Sequence, residues 1–142
     1  MTRLFPAPWA PRLLSVLRIG AALLFIAHGT QKLFGVPGTR PPVELMSQMG
    51  VAGVLETFGG LLMLLGLFTG PIAFLLAGEM AVAYLMAHAP RGAWPLLNGG
   101  ELPLLYALTW LFFAAAAPGP WSLDALRRER APERRSTQRL AA

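Results

Sequence analysis

The chain has 142 residues, of which 55% are hydrophobic and 13% charged, with no cysteine and a mean hydropathy of +0.53. A soluble domain carries about 25% charged residues, so there is too little charge here to cover a water-facing surface, and a soluble enzyme is excluded. Without cysteine the chain has no disulfide, no zinc–thiolate or iron–sulfur site and no thiol relay of its own.

The net charge of +5 gathers at the two ends. Residues 1–12 carry Arg3 and Arg12, and residues 121–142 carry six arginines against Asp124, Glu129 and Glu133. Between them, Arg18, Lys32, Arg40 and Arg91 are balanced by Glu44, Glu56, Glu79 and Glu101. The excess therefore speaks of membrane topology rather than nucleic acid.

In chain order, a basic N-terminal segment (1–12) precedes four apolar segments at 13–34, 51–69, 71–88 and 102–117. A membrane core about 30 Å thick needs roughly 20 helical residues. The first three segments meet that length; the fourth does so only with Glu101 and the breaker Pro118-Gly119-Pro120 at the interfaces. Arg18, His28 and Lys32 within the first segment mark it as a retained helix rather than a cleaved signal. The predicted architecture is all-α, an integral membrane four-helix bundle over 13–124, followed by a basic tail (125–142) without fixed structure. Helices two and three are joined by a tight turn near Gly70-Pro71. Lysine and arginine cluster on the side of the termini, which places both termini in the cytoplasm. Glycines 59, 60, 66 and 70 read as sites of close helix packing in lipid.

Charges inside a bilayer are costly and must be compensated. On the first helix Arg18, Phe25, His28 and Lys32 fall within about 80° of one another at 100° per residue, forming one polar stripe. Depth along the helices, at about 1.5 Å per residue, sets Arg18 level with Glu79 as a structural pair. It gathers His28, Lys32, Glu56 and Glu101 at the opposite end. A histidine beside a carboxylate exchanges protons near neutral pH, so His28 and Glu56 are the predicted catalytic residues. Tyr84, Tyr106 and Trp110 read as packing or interface aromatics and His88 as a solvated interface residue. Two histidines a whole helix apart make no metal motif.

The runs RIGAALLFIAHGTQKLFG (18–35), VLETFGGLLMLLGLFTG (54–70) and LNGGELPLLYAL (97–108), with PGPWSLD (118–124), together resemble the DoxX family of small four-helix bacterial membrane proteins. Arg18, His28, Gly29 and Lys32 match its first-helix pattern, Glu56 with Gly59 and Gly60 its second, Glu79 its third, and Asn98 through Glu101 its loop signature. The resemblance implies a protein of the bacterial inner membrane and a subunit of a membrane oxidoreductase, acting on a quinone or with a redox protein partner. The expected quinone site is His28 and Glu56, with Phe25, Lys32 and Glu101 as binding residues. The rival classes are a small transporter moving protons or solute, and a structural scaffold, either of them alone or as a homo-oligomer in the lipid bilayer.

Overall fold

The computed structural model describes residues 6–130. Arg3 and the part of the basic tail from 131 onward lie outside the described residues.

Helix α1 (Trp9–Phe34) starts four residues earlier than the apolar pattern suggests, because Pro11 falls in its first turn, where proline is tolerated. It ends at Gly35, whose left-handed conformation (φ 73°) lets its N–H return to the Gln31 carbonyl. Helix α2 (Gln48–Leu65) is opened by Ser47, whose side chain accepts the Gly50 N–H at 3.1 Å. It is interrupted by a π turn over Leu55–Gly59 and closes at Gly66 (φ 63°). Helix α3 (Thr69–Ala87) follows after Leu67 and Phe68. The α2–α3 turn is therefore Gly66–Phe68 rather than Gly70-Pro71, and Pro71 sits inside the first turn of α3, where its missing N–H has no partner to lose. A 3-10 turn (Ala89–Arg91) and one helical turn (Pro95–Asn98) lead into α4 (Glu101–Ala115). Past Pro118-Gly119-Pro120, residues 123–130 are helical. The first part of the tail, expected without structure, is thus ordered as far as Arg130.

Three helices, α1, α2 and α3 with its 3-10 extension, are long and apolar enough to cross a membrane; α4 is a shorter apolar helix. No strand occurs among the described residues. Polarity runs inside out. Leu24, Phe74, Leu85 and Leu108 are exposed, whereas Ser15, Arg18, Glu56, Thr57 and Asn98 are buried. Lipid is the solvent that such a surface fits, and the protein is a helical membrane bundle.

α1 lies along α2 and α3 along α4. Between apolar helices in lipid, close packing rather than water exclusion holds the contact, and glycine permits it. A Cβ on Gly29 would stand 2.4 Å from Thr57 Oγ1 and 2.6 Å from its backbone nitrogen. The two helix pairs meet through Phe25, Met63, Leu76, Trp110 and Phe113, all almost completely buried. Phe25 sits edge-on to Trp110, with centroids 5.3 Å apart. The end of the bundle that holds residues 35–47 and 88–100 is called the loop end below, and the other the turn end.

Candidate functional site

The π turn in α2 decides where the site lies. Its wider turn, crossing α1 at Gly29, sets Glu56 and Thr57 inward together, and such turns often occur at functional sites. Glu56 is 3% exposed, and both of its carboxylate oxygens accept from Lys32 Nζ in α1. Lys32 lies in the last turn of α1, where a cation is also favoured by the helix dipole.

Beside this ion pair is a cavity of about 230 Å³ to which all four helices contribute. α1 supplies Phe25, His28 and Lys32, and α2 supplies Met49, Ala52 and Glu56. Met80, Ala83, Ala87 and His88 come from α3 and the residue after it, and Leu102, Pro103 and Tyr106 from α4. Phe25 and Tyr106 form its aromatic side, with centroids 4.9 Å apart. His28 stands edge-on to Tyr106 at 6.1 Å, and its imidazole makes no hydrogen bond to other described residues. A ring nitrogen beside an ion pair and an aromatic wall can donate or accept a proton.

A vestibule of about 460 Å³ adjoins the cavity at the loop end, shares His28, Lys32, Met49, His88, Leu102 and Pro103 with it, and adds Gln31 and Arg40. Its rim is cationic. The loops around it are tied down. The Val43 N–H donates to the Lys32 carbonyl at 2.9 Å, and Asn98 Nδ2 donates to the Gly92 carbonyl at 2.7 Å. The Gly100 N–H donates to Asn98 Oδ1 at 2.8 Å, and His88 Nδ1 lies 3.1 Å from the Asn98 carbonyl oxygen. His88, expected only as a solvated interface residue, therefore also braces this loop, stacked on Tyr84.

The structure brings Phe25, His28, Lys32 and Glu56 together and leaves Glu101 out. Glu101 is exposed in the first turn of α4 and does not line the cavity; its neighbours Leu102 and Pro103 do, because the chain enters α4 with the 101 side chain turned to the surface. The expected Arg18/Glu79 pair is not formed either. Arg18, fully buried, donates instead to backbone carbonyls: through Nε to Pro118 at 2.9 Å, and through its terminal nitrogens to Met63, Leu64 and Trp121. Glu79 faces the α2/α3 side, and neither of its buried carboxyl oxygens has a hydrogen-bond partner among the described residues. Tyr106 and Met49 were not singled out as site residues. Tyr106 was legible as the start of the buried Tyr106–Trp110–Phe113 face of α4; Met49, in the first turn of α2 ahead of the second apolar run, carried no signal. Among the described residues no group of three His, Cys, Asp or Glu comes together.

Comparison with known proteins agrees with this architecture. An uncharacterised protein of Haemophilus influenzae is 42% identical over 127 residues, covering 82% of this chain and 91% of its own length. Inner membrane protein YphA of Escherichia coli is 30% identical over 133 residues, covering 80% of this chain and 89% of its own. No solved structure matches the chain. The family model for DoxX matches residues 13–89, from α1 through the end of α3. The chain belongs to the DoxX family.

Proposed function

We propose that this protein is a quinone-interacting subunit of a membrane redox system in the bacterial inner membrane, with both termini cytoplasmic, and that the four-helix cavity holds the quinone headgroup. The observation that carries the reading is the cavity itself. An apolar, aromatic pocket within the lipid-spanning bundle contains one ion pair, the partly buried Lys32 with the buried Glu56, and the imidazole of His28 beside it. A quinone supplies a flat ring with two carbonyl acceptors and takes up electrons and protons when it is reduced. Phe25 and Tyr106 would form the aromatic wall against which the ring packs, while Lys32 and His28 donate to its oxygens. Glu56 holds the Lys32 ammonium in place and exchanges protons with His28, and the vestibule connects that pair to water. Electrons come from a partner's redox group.

The test is binding of menadione to the protein in phosphatidylcholine nanodiscs, followed by quenching of tryptophan fluorescence; Trp110 stands next to Phe25. His28→Ala and Glu56→Gln are expected to weaken binding about tenfold, roughly 1.4 kcal/mol. Lys32→Gln/Glu56→Gln keeps the site neutral and controls for leaving Lys32 unpaired. Wild-type affinity in all three folded variants would remove the quinone reading. The cationic vestibule favours one second reading, a conduit for protons or an anionic solute. That reading requires flux into liposomes that His28→Ala abolishes.

A further inference from the structure

A second concavity lies on the outside of the bundle between α2 and α3. It measures about 530 Å³ and faces the lipid. Apart from Gln48 and Glu79 its walls are apolar, with Val51 and Leu55 on the α2 side and Phe74, Leu75 and Val82 on the α3 side. At the loop end Gln48 Nε2 reaches across to Met86 Sδ at 3.0 Å and closes the groove there.

The groove and the headgroup cavity share a wall. Met49, Ala52, Ala83 and Ala87 line both. Three of these are alanines, which leave the partition thin, and the fourth is an unbranched methionine that also borders the vestibule and can swing aside at little cost. Glu56 and Leu55, consecutive in the π turn, face opposite sides of the partition. The floor of the groove is open at Gly78, where an added Cβ would meet nothing within 4 Å.

We propose that the α2/α3 groove is the lateral entrance to the cavity from the bilayer, and that it holds the apolar tail of a membrane-dissolved amphiphile whose head lies in the cavity against Phe25, His28 and Tyr106. This inference rests on the cavity being a headgroup site and adds to it the class of ligand, a tailed rather than a water-soluble quinone. Two features favour a tail over a lipid packing at random. Only small and flexible side chains, rather than bulky ones, separate the groove from the cavity. The groove is also larger than the cavity it adjoins, as a chain needs more room than a ring. The head would pass the partition by displacement of the Met49 side chain and come to rest against the Lys32–Glu56 pair, with the tail left in the groove.

The experiment compares two probes with the same naphthoquinone head: menadione, which has no tail, and phylloquinone, which has a long one. Both are titrated into the wild-type protein and into Gly78→Phe in phosphatidylcholine nanodiscs. Gly78→Phe fills the groove from its open floor without meeting another atom at its Cβ, and Gly20→Phe, at an equally open and exposed position on α1, serves as the control. In the wild type phylloquinone binds at least tenfold more tightly than menadione. Gly78→Phe abolishes that advantage and leaves menadione binding unchanged, whereas Gly20→Phe changes neither. Equal loss of both probes in Gly78→Phe, or no loss of either, overturns the assignment of the groove to the tail. Absence of binding of both probes to the wild type overturns the headgroup site itself, so the two failures are distinguishable.

Discussion

Arg18 brings a full charge into the bundle and forms no ion pair with a carboxylate among the described residues. Its partners are the carbonyls of Met63 and Leu64 in the last turn of α2 and those of Pro118 and Trp121 beyond α4. The Met63 carbonyl also accepts the Gly66 N–H at 3.1 Å, whereas those of Leu64, Pro118 and Trp121 lie at a helix end and a proline break, where carbonyls lose their intrahelical partners. The planar guanidinium, with its five donors, reaches all of them at once, which a lysine ammonium does not. Arg18→Leu would strand several buried acceptors at about 1–3 kcal/mol each. It is therefore expected to lose most folded yield, with Arg18→Lys recovering little. Glu79→Leu is expected to be neutral or stabilising in thermal unfolding in detergent, and the double variant to match Arg18→Leu alone. Recovery in the double variant would restore the ion pair. Lys32 and Glu56 could be placed in one cluster from charge and depth, because each seeks a side chain. Arg18 could not, since backbone acceptors have no letter in the sequence, although Gly66 and Pro118-Gly119-Pro120 mark where they occur. Glu101 was misplaced for a related reason: depth alone does not say which way the first residue of a helix points.

Between elements, two contacts hold the bundle, one beside the site and one at the turn end. The first is the α1/α2 crossing at Gly29, where Gly29→Ala would drive a methyl into Thr57 and push the π turn away from Lys32. Overpacking of this kind costs about 1–3 kcal/mol. Gly20→Ala, in open space on the same helix, should gain up to about 1 kcal/mol from helix propensity. Thermal unfolding that ranks the two variants the other way would remove the crossing as a determinant of the fold. The second contact is at the start of α3. Asp124, reaching back from beyond α4, accepts the Phe68 N–H at 3.0 Å and the Thr69 N–H at 2.8 Å. Burial pushes its carboxyl up, but the Thr69 and Phe68 amides and nearby Arg127 outweigh that and hold it below the ordinary carboxylate value. Its folded value being depressed, the cap contributes stability above the unfolded aspartate value of about 3.9 and loses it as pH falls through the lower folded value. Asp124→Ala should cost about 0.5–2 kcal/mol at pH 7, and the difference from wild type should vanish in acid. Helix number and order were legible from the four apolar runs. The α2–α3 turn was not, because Gly70-Pro71 is the stronger breaker on paper, yet proline is harmless in a first helical turn. The π turn left no trace in the apolar pattern, since α2 is apolar nearly all round.

For the whole molecule, the orientation of the bundle decides which compartment the vestibule opens to, and the length of α4 bears directly on it. α4 has 15 residues, about 22 Å of helix against a core of about 30 Å. If it did not span, the helix at 123–130 would lie on the same side as the loop end. The distribution of charge favours a span: Arg12 and the tail arginines would then share one side, with Arg40 and Arg91 at the loop end, and the bias of lysine and arginine would make the side of the termini cytoplasmic. The packing argues the same, since α4 runs along α3 and carries Tyr106, Trp110 and Phe113 into the core beside Phe25. The cysteine-free sequence allows a direct test with single cysteines at two exposed positions, Thr39→Cys at the loop end and Arg128→Cys beyond α4. In intact spheroplasts a membrane-impermeant maleimide should label Thr39→Cys and should reach Arg128→Cys only after the membrane is permeabilised. The reverse pattern would turn the vestibule toward the cytoplasm, and the Lys32–Glu56 site would then exchange protons with that side. Labelling of both positions in intact spheroplasts would mean that α4 fails to span, and the bundle would have three crossings rather than four.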